Sequence, residues 1–201
     1  MITINSKYVL IGLALLLSAC KTNQQIDLIG PKTIINWRQI DKSVTFYHAS
    51  TKDLQSNFIP DSVFQMKQLI SLVITGMDCD YGNHDSCWMI TAIPAAIKNL
   101  TNLKSLTLNV NAIKTIPDEI SYLKDLTLLD LTDNAGLQEI DNIVQLTTLQ
   151  NLLLHGCSLT RLPRNIGKLK NLKELGLGGN NLSKTEIERI KKALPNYRIT
   201  L

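Results

Sequence analysis

The sequence predicts an α/β solenoid in which about five to six short repeats stack, so that their strands form one parallel β-sheet on the concave side. The main observation is an apolar ladder that occurs four times. Its positions are Leu103, Leu106, Leu108 and Asn111; Leu126, Leu129, Leu131 and Asn134; Leu149, Leu152, Leu154 and Cys157; and Leu172, Leu175, Leu177 and Asn180. Consecutive ladders begin 23 residues apart. A fixed period of this length indicates stacked repeats, because one repeat cannot bury its own apolar face.

A second apolar run follows each ladder and forms the other side of the repeat. It reads Ile113, Ile116, Ile120 and Leu123 in one repeat, and Leu159, Leu162, Ile166 and Leu169 in another. Pro60, Pro94, Pro117 and Pro163 lie at the corner after the strand, which suits a residue without a backbone N–H. In the repeat with Leu137 and Ile140, Asp141 replaces the proline, so we expect a locally irregular coil there.

These ladders read L-x-x-L-x-L-x-x-N/C and closely resemble the leucine-rich repeat family, in its 23-residue version with L-P-x-x-I-x-x-L as second half. The resemblance covers roughly residues 40 to 201 and implies a horseshoe arc. Independently of it, apolar residues at L-x-L spacing point to one side of a short strand. The Asn side chain, or Cys157 in its place, can hydrogen-bond the backbone of neighbouring coils.

The upstream repeats carry insertions. Leu69, Leu72, Ile74 and Met77 form another ladder, and an inserted loop spans residues 78–88. A weaker first ladder runs through Val44, Phe46 and Ala49, with about five extra residues near Thr51 to Gln55. We therefore assign residues 40–182 to the repeats.

The first twenty residues indicate export. Lys7 precedes an apolar run from Tyr8 to Leu17, which is too short to span a bilayer and is typical of a signal peptide. Leu17-Ser18-Ala19-Cys20 resembles the bacterial lipobox, which implies a signal peptide at 1–19, lipidation such as palmitate at Cys20 and a tether at 20–39. An ordinary signal peptide with an incidental Cys20 is the alternative. Lys21 follows Cys20 in place of the aspartate that retains some lipoproteins at the inner membrane, so the outer membrane or cell surface is favoured by analogy.

Cys79 and Cys87 bracket the inserted loop and are candidates for a disulfide, because an exported protein meets an oxidising environment. A metal site with His84 and Asp80 or Asp85 is the alternative, although the spacing matches no standard zinc pattern. We therefore predict no metal site and no cofactor.

Residues 183–201 are predicted to close the solenoid. Ser183 and Glu186 have the spacing of a capping box, and Ile187, Ile190 and Leu194 fall on one helical face. The last five residues alternate like a short strand. A terminal repeat needs such a cap to cover its apolar layer.

Enzymatic activity is not predicted. His48, His84 and His155 lie in different repeats or in the inserted loop, and no nucleophile motif accompanies them. Function is instead expected on the solvent-facing positions of the strands. The candidate binding residues are Tyr47, Thr75, Thr107, Asn109, Asp130, Thr132, Leu153 and His155. Sheets of this kind in the family commonly bind proteins.

The charge distribution gives a second hypothesis. Residues 161–201 carry ten Lys or Arg against three Asp or Glu, while residues 20–160 carry ten against fourteen. A basic end could bind glycans or polyanions. Nucleic acid is not expected, because no aromatics are interleaved with these charges. The sequence thus predicts a monomeric, lipid-anchored envelope protein that recognises a protein partner through its concave face, with an envelope scaffold or glycan binding as alternatives.

Overall fold

The computed structural model describes residues 26–27, 45–76, 88–195 and 198–201. Within them, one parallel sheet contains eight strands, each paired with the next along the chain. The strands are β1 (Ile26–Asp27), β2 (Phe46–Ser50), β3 (Ser71–Thr75), β4 (Ser105–Thr107), β5 (Leu128–Asp130), β6 (Asn151–Leu153), β7 (Glu174–Gly176) and β8 (Arg198–Thr200). This consecutive order confirms the predicted solenoid. Cys20, Met77, Cys79, His84 and Cys87 lie outside the described residues.

Short 3-10 helices form the convex side. They span Val63–Gln65, Ala95–Asn99, Asp118–Tyr122, Asp141–Gln145 and Ile166–Lys168. The Pro117 carbonyl accepts a hydrogen bond from the Ile120 amide at 3.1 Å, and the other three corner prolines make the same turn. In the repeat without proline, the Ile140 carbonyl accepts from the Ile143 amide at 3.0 Å. The hydrogen bond of the turn therefore forms without the proline, but Ile140 has φ −118° and ψ 11° where Pro94 and Pro117 are extended, so the coil is locally irregular, as expected.

The ladder residues form the core. Every leucine of the four 23-residue ladders is buried, with at most 3% of its surface exposed. Leu106, Leu129, Leu152 and Leu175 lie in register on adjacent strands, so each coil covers the apolar layer of the next. Stacking of this kind removes apolar surface from water, and each Å² buried stabilises the fold by about 25 cal/mol. This burial is the main stabilisation available to a repeat.

The fourth ladder position joins successive coils through its side-chain amide. Asn134 Nδ2 donates to the Leu108 carbonyl at 2.9 Å and the Leu131 carbonyl at 2.8 Å, and Oδ1 accepts from the Ile113 amide at 2.9 Å. Asn111 and Asn180 make equivalent bonds. A buried backbone group without a hydrogen-bond partner costs about 1–3 kcal/mol. Each asparagine supplies such partners in its own coil and in the preceding one, and therefore stabilises both.

Cys157 occupies the same position with a shorter side chain. Its Sγ donates to the Leu131 carbonyl at 3.1 Å, and the residue is fully buried, as predicted. Burial raises the pKa of the thiol to about 11, because the thiolate would lose its hydration. Cys157 is therefore a packing residue in its neutral form.

Both α-helices among the described residues begin with side-chain caps. α1 (Thr51–Leu54) lies in the extra residues of the first repeat, and Ser50 and Asp53 form a complete capping box there. α2 (Lys184–Ala193) begins after Ser183, whose Oγ accepts from the Glu186 amide at 3.1 Å. Only this half of the capping box predicted for Ser183 and Glu186 forms. No helix in the described ranges is long and apolar enough to cross a membrane.

The Glu186 carboxylate instead binds the preceding coil. Its Oε1 accepts from the Leu162 amide at 2.8 Å, and both of its oxygens accept from Arg189. Arg189 Nη2 donates in turn to the Leu162 carbonyl at 3.0 Å. The bond from Arg189 holds the pKa of Glu186 below its ordinary value, since it favours the ionised carboxylate. The pair fixes α2 on the last coil, and β8 completes the predicted cap.

Candidate functional site

Three rows of side chains cover the solvent-facing side of the sheet, because alternate residues of each strand point away from the core. Strand pairing sets the rows. The first row contains Phe46, Ser71, Ser105, Leu128, Asn151, Glu174 and Arg198. The middle row contains His48, Val73, Thr107, Asp130, Leu153, Gly176 and Thr200. The third row contains Ser50 and Thr75 and continues past the shorter strands through Asn109, Thr132, His155 and Gly178.

Seven of the eight residues predicted for binding lie in these rows. Thr107, Asp130 and Leu153 are in the middle row, and Thr75, Asn109, Thr132 and His155 are in the third row; all are half-buried. Thr75 Oγ1 donates to Asn109 Oδ1 at 3.0 Å, and the Thr132 amide donates to Asp130 Oδ1 at 2.9 Å. The rows therefore form one continuous surface. Binding by these residues stays a prediction.

The prediction that Tyr47 faces solvent is wrong. Tyr47 pairs with the core residue Leu72, and only 5% of its surface is exposed. Burial raises the pKa of its hydroxyl above the ordinary value. His48 takes the solvent-facing position instead, while Phe46, which the sequence assigned to the core ladder, pairs with Ser71 and is half-buried. The one-residue error arises because this ladder is degenerate and a shift of one residue exchanges the two faces of a strand.

The first row was not predicted from sequence. Its most distinctive member is Leu128, a half-buried leucine opposite Asn151. The signal was present, because Leu128 lies two residues before Asp130 and must point to the same side of β5. Leu128 was overlooked because leucines stand on both sides of it in this repeat, so apolar and polar residues do not alternate clearly there.

His155 lies against β7 in the space left by two glycines. A Cβ atom on Gly176 would lie 2.2 Å from His155 Nε2, and one on Gly178 would lie 3.1 Å from His155 Nδ1. The imidazole therefore occupies the position of the missing side chains beside Leu153, which is the neighbour of Gly176 in the sheet.

Charged side chains are few on this face. On β7 and β8, Glu174 Oε1 lies 4.0 Å from Arg198 Nε. Among the described residues no Lys or Arg forms an ion pair with Asp130. In the same part of the chain no three His, Cys, Asp or Glu side chains are grouped so that they could hold a metal ion. His48 and His155 are four strands apart in the sheet.

Sequence comparison finds related repeats in larger proteins. A human volume-regulated anion channel subunit, LRRC8B, is 32% identical over 152 residues, which cover 72% of this chain and 18% of that protein. The chain thus spans less than a fifth of that relative's length.

Two solved structures have similar backbones. A leucine-rich repeat protein of Leptospira interrogans has a TM-score of 0.59 at 29% identity, covering 80% of this chain and 49% of the other. The Arabidopsis receptor kinase HAESA, solved with the peptide hormone IDA and the co-receptor SERK1, has a TM-score of 0.53 at 28% identity, covering 71% and 24%. The family described as leucine-rich repeat region matches residues 93–194, about half of the sequence. Together with the ladders and the parallel sheet, this match shows that the chain belongs to the leucine-rich repeat family.

Proposed function

We propose that this chain recognises a protein partner through the three rows on the concave face of its sheet. The observation that carries the proposal is the pair of half-buried leucines, Leu128 and Leu153, on a face otherwise lined mainly by small polar side chains. The ladders already supply an apolar core, so these two leucines are not needed to fill it. Apolar anchors among polar residues suit a protein interface.

The similarity to a structure solved with bound proteins supports the same conclusion. HAESA was solved in complex with a peptide hormone and a co-receptor. Solenoid folds in general provide extended concave surfaces for macromolecular partners.

The experiment compares the two sides of the solenoid. A photoactivatable amino acid is placed at Thr107 on the concave face, or at Ser121 on the convex 3-10 helix, in cells that produce the protein. We expect a partner to crosslink from position 107 only. The crosslink should disappear when Asp130, Leu153 and His155 are replaced by Ala, and it should persist when Asp118, Tyr122 and Gln145 on the convex side are replaced.

The outcomes separate the alternatives. A crosslink from position 121 that survives the concave triple variant would contradict concave recognition. Loss of binding in salt, and on neutralisation of exposed basic residues such as Arg161, Arg164 and Lys192, would instead indicate glycan or polyanion binding at the basic end. No crosslink from either side would favour an envelope scaffold.

We further propose that the protein works at the bacterial envelope, held by acyl chains on Cys20. The support is the sequence from Leu17 to Cys20 after a short apolar run. Two or more acyl chains hold a protein stably on a membrane without a spanning helix. Intact mass and external protease treatment of the native protein test this. An acylated chain beginning at Cys20 and cut from outside supports surface display, whereas an unmodified chain that keeps residues 1–19 rules out the anchor.

A further inference from the structure

We propose that the concave site takes an extended peptide segment in which a large apolar side chain lies next to a Lys or Arg. The inference rests on the proposed recognition function and specifies the chemistry of the partner. The residues that carry it are Leu128, Asp130, Leu153 and His155, which together we call the central patch.

The apolar part of the patch comes from diagonal neighbours on adjacent strands. Leu128 is in the first row of β5, and Leu153 is in the middle row of β6, beside Asp130. Adjacent strands lie about 4.8 Å apart and alternate residues about 6.6 Å apart, so one large side chain can contact both leucines. Both remain half-buried and therefore still present apolar surface to solvent.

His155 and Gly176 of β7 extend this surface on one side. Gly176 has no side chain beside Leu153, and the imidazole lies in that space, with Nε2 2.2 Å from where a Cβ would be. The ring thus fills the space that a side chain on Gly176 would take. The result is a shallow floor formed by Leu153 and the imidazole, suited to an apolar or aromatic side chain.

Asp130 supplies the charge on the other side of Leu153. The Thr132 amide donates to Asp130 Oδ1 at 2.9 Å, which fixes the carboxylate and leaves the acceptor capacity of Oδ2 for another donor. Apart from the histidines, the basic side chain nearest in the rows is Arg198, which is three strands away and lies beside Glu174. A partner Lys or Arg would make a charge-assisted hydrogen bond here, whereas a partner carboxylate would be repelled.

The test uses a displayed library of random seven-residue peptides, selected on the full chain. We expect selected peptides to combine a large apolar residue with Lys or Arg. Asp130→Asn keeps the acceptor for the Thr132 amide and removes the charge. It should therefore lower the affinity for these peptides about tenfold, the effect of one partly exposed charge pair. Asp118→Asn, which changes an exposed convex carboxylate, is the matched control and should leave binding unchanged.

The outcomes distinguish this inference from the function on which it rests. Peptides that lose binding on Leu153→Glu but show no basic preference, or bind Asp130→Asn equally well, overturn the inference and leave concave recognition standing. Selected peptides that bind Leu153→Glu as tightly as the wild type overturn both. A basic preference lost in Asp130→Asn but kept in Asp118→Asn supports the inference.

Discussion

Val110 has a backbone conformation that its side chain disfavours. Its φ is 55°, in the left-handed region, and the residues one, two and three repeats later are Asp133, Gly156 and Gly179 with φ of 57°, 61° and 72°. Each lies directly after a third-row residue, where the chain turns from strand into the asparagine position. Asp and Gly adopt this conformation at low cost, while a β-branched residue is a true outlier there. The turn is therefore imposed on Val110 by the repeat.

Replacing Val110 with Asn should relieve this strain. We expect the free energy of unfolding to rise by about 0.5 kcal/mol, because the relief of the left-handed conformation exceeds the apolar burial that is lost. The control is Val73→Asn, at a half-buried strand position where a β-branched residue is favoured. This substitution should lower the free energy of unfolding by about 1 kcal/mol. Urea unfolding of both variants makes the comparison. Equal losses at the two positions would show that Val110 is not strained.

Some residues could be placed from sequence and others could not, for a physical reason. The ladder leucines and Cys157 were predicted correctly because the same ladder occurs four times at a spacing of 23 residues, which removes the ambiguity of any single ladder. Tyr47 was misplaced because its ladder occurs once, with extra residues after it. One strand of five residues allows two registers that differ only by which face is buried.

The same distinction holds for the elements. The strands and the corner turns follow from apolar spacing and proline, which are local signals. The turn at Ile140 shows that spacing alone is sufficient, since it forms without proline. α1 was not predicted, because four residues carry no helical period, although Ser50 and Asp53 have the capping-box spacing.

At the C-terminal cap, sequence predicted the helix but not what holds it. Glu186 was expected to close a local capping box, and its carboxylate instead binds Leu162 and Arg189. The Leu162 amide lies 24 positions earlier in the chain, so no local pattern could indicate it. The bonds from Arg189 are charge-assisted on both sides and therefore stronger than a bond from the N-cap amide of Ser183. For the central patch, sequence identified Asp130, Leu153 and His155 but missed Leu128, although its spacing of two residues from Asp130 places both on one face of β5.

At the scale of the whole molecule, the described part of the chain is a stack in which each coil contacts chiefly its two neighbours along the chain. Each strand pairs with a strand of the next repeat, and each convex 3-10 helix packs against the helix of the next repeat. Stability in such a stack is a sum of repeat and neighbour contributions, so a defect acts according to its position. Asn134 bonds its own coil, that of β5, to the preceding coil of β4, whereas the Glu186–Arg189 pair holds the last coil to the cap.

Amide hydrogen exchange should therefore give different maps for two variants. Asn134→Ala leaves buried backbone groups without partners, which costs about 2–4 kcal/mol, and should lower protection at Leu106 and Leu129 together, on the two coils that Asn134 joins. Glu186→Gln costs about 1–2 kcal/mol and should lower protection from about residue 159 onward, leaving Leu106 at its wild-type value. Asn99→Ala, at an exposed convex position, is the control for Asn134 and should change neither region. If Glu186→Gln lowered protection equally at Leu106 and Leu175, the stack would unfold as one cooperative unit, and the cap would then stabilise the concave face along its whole length.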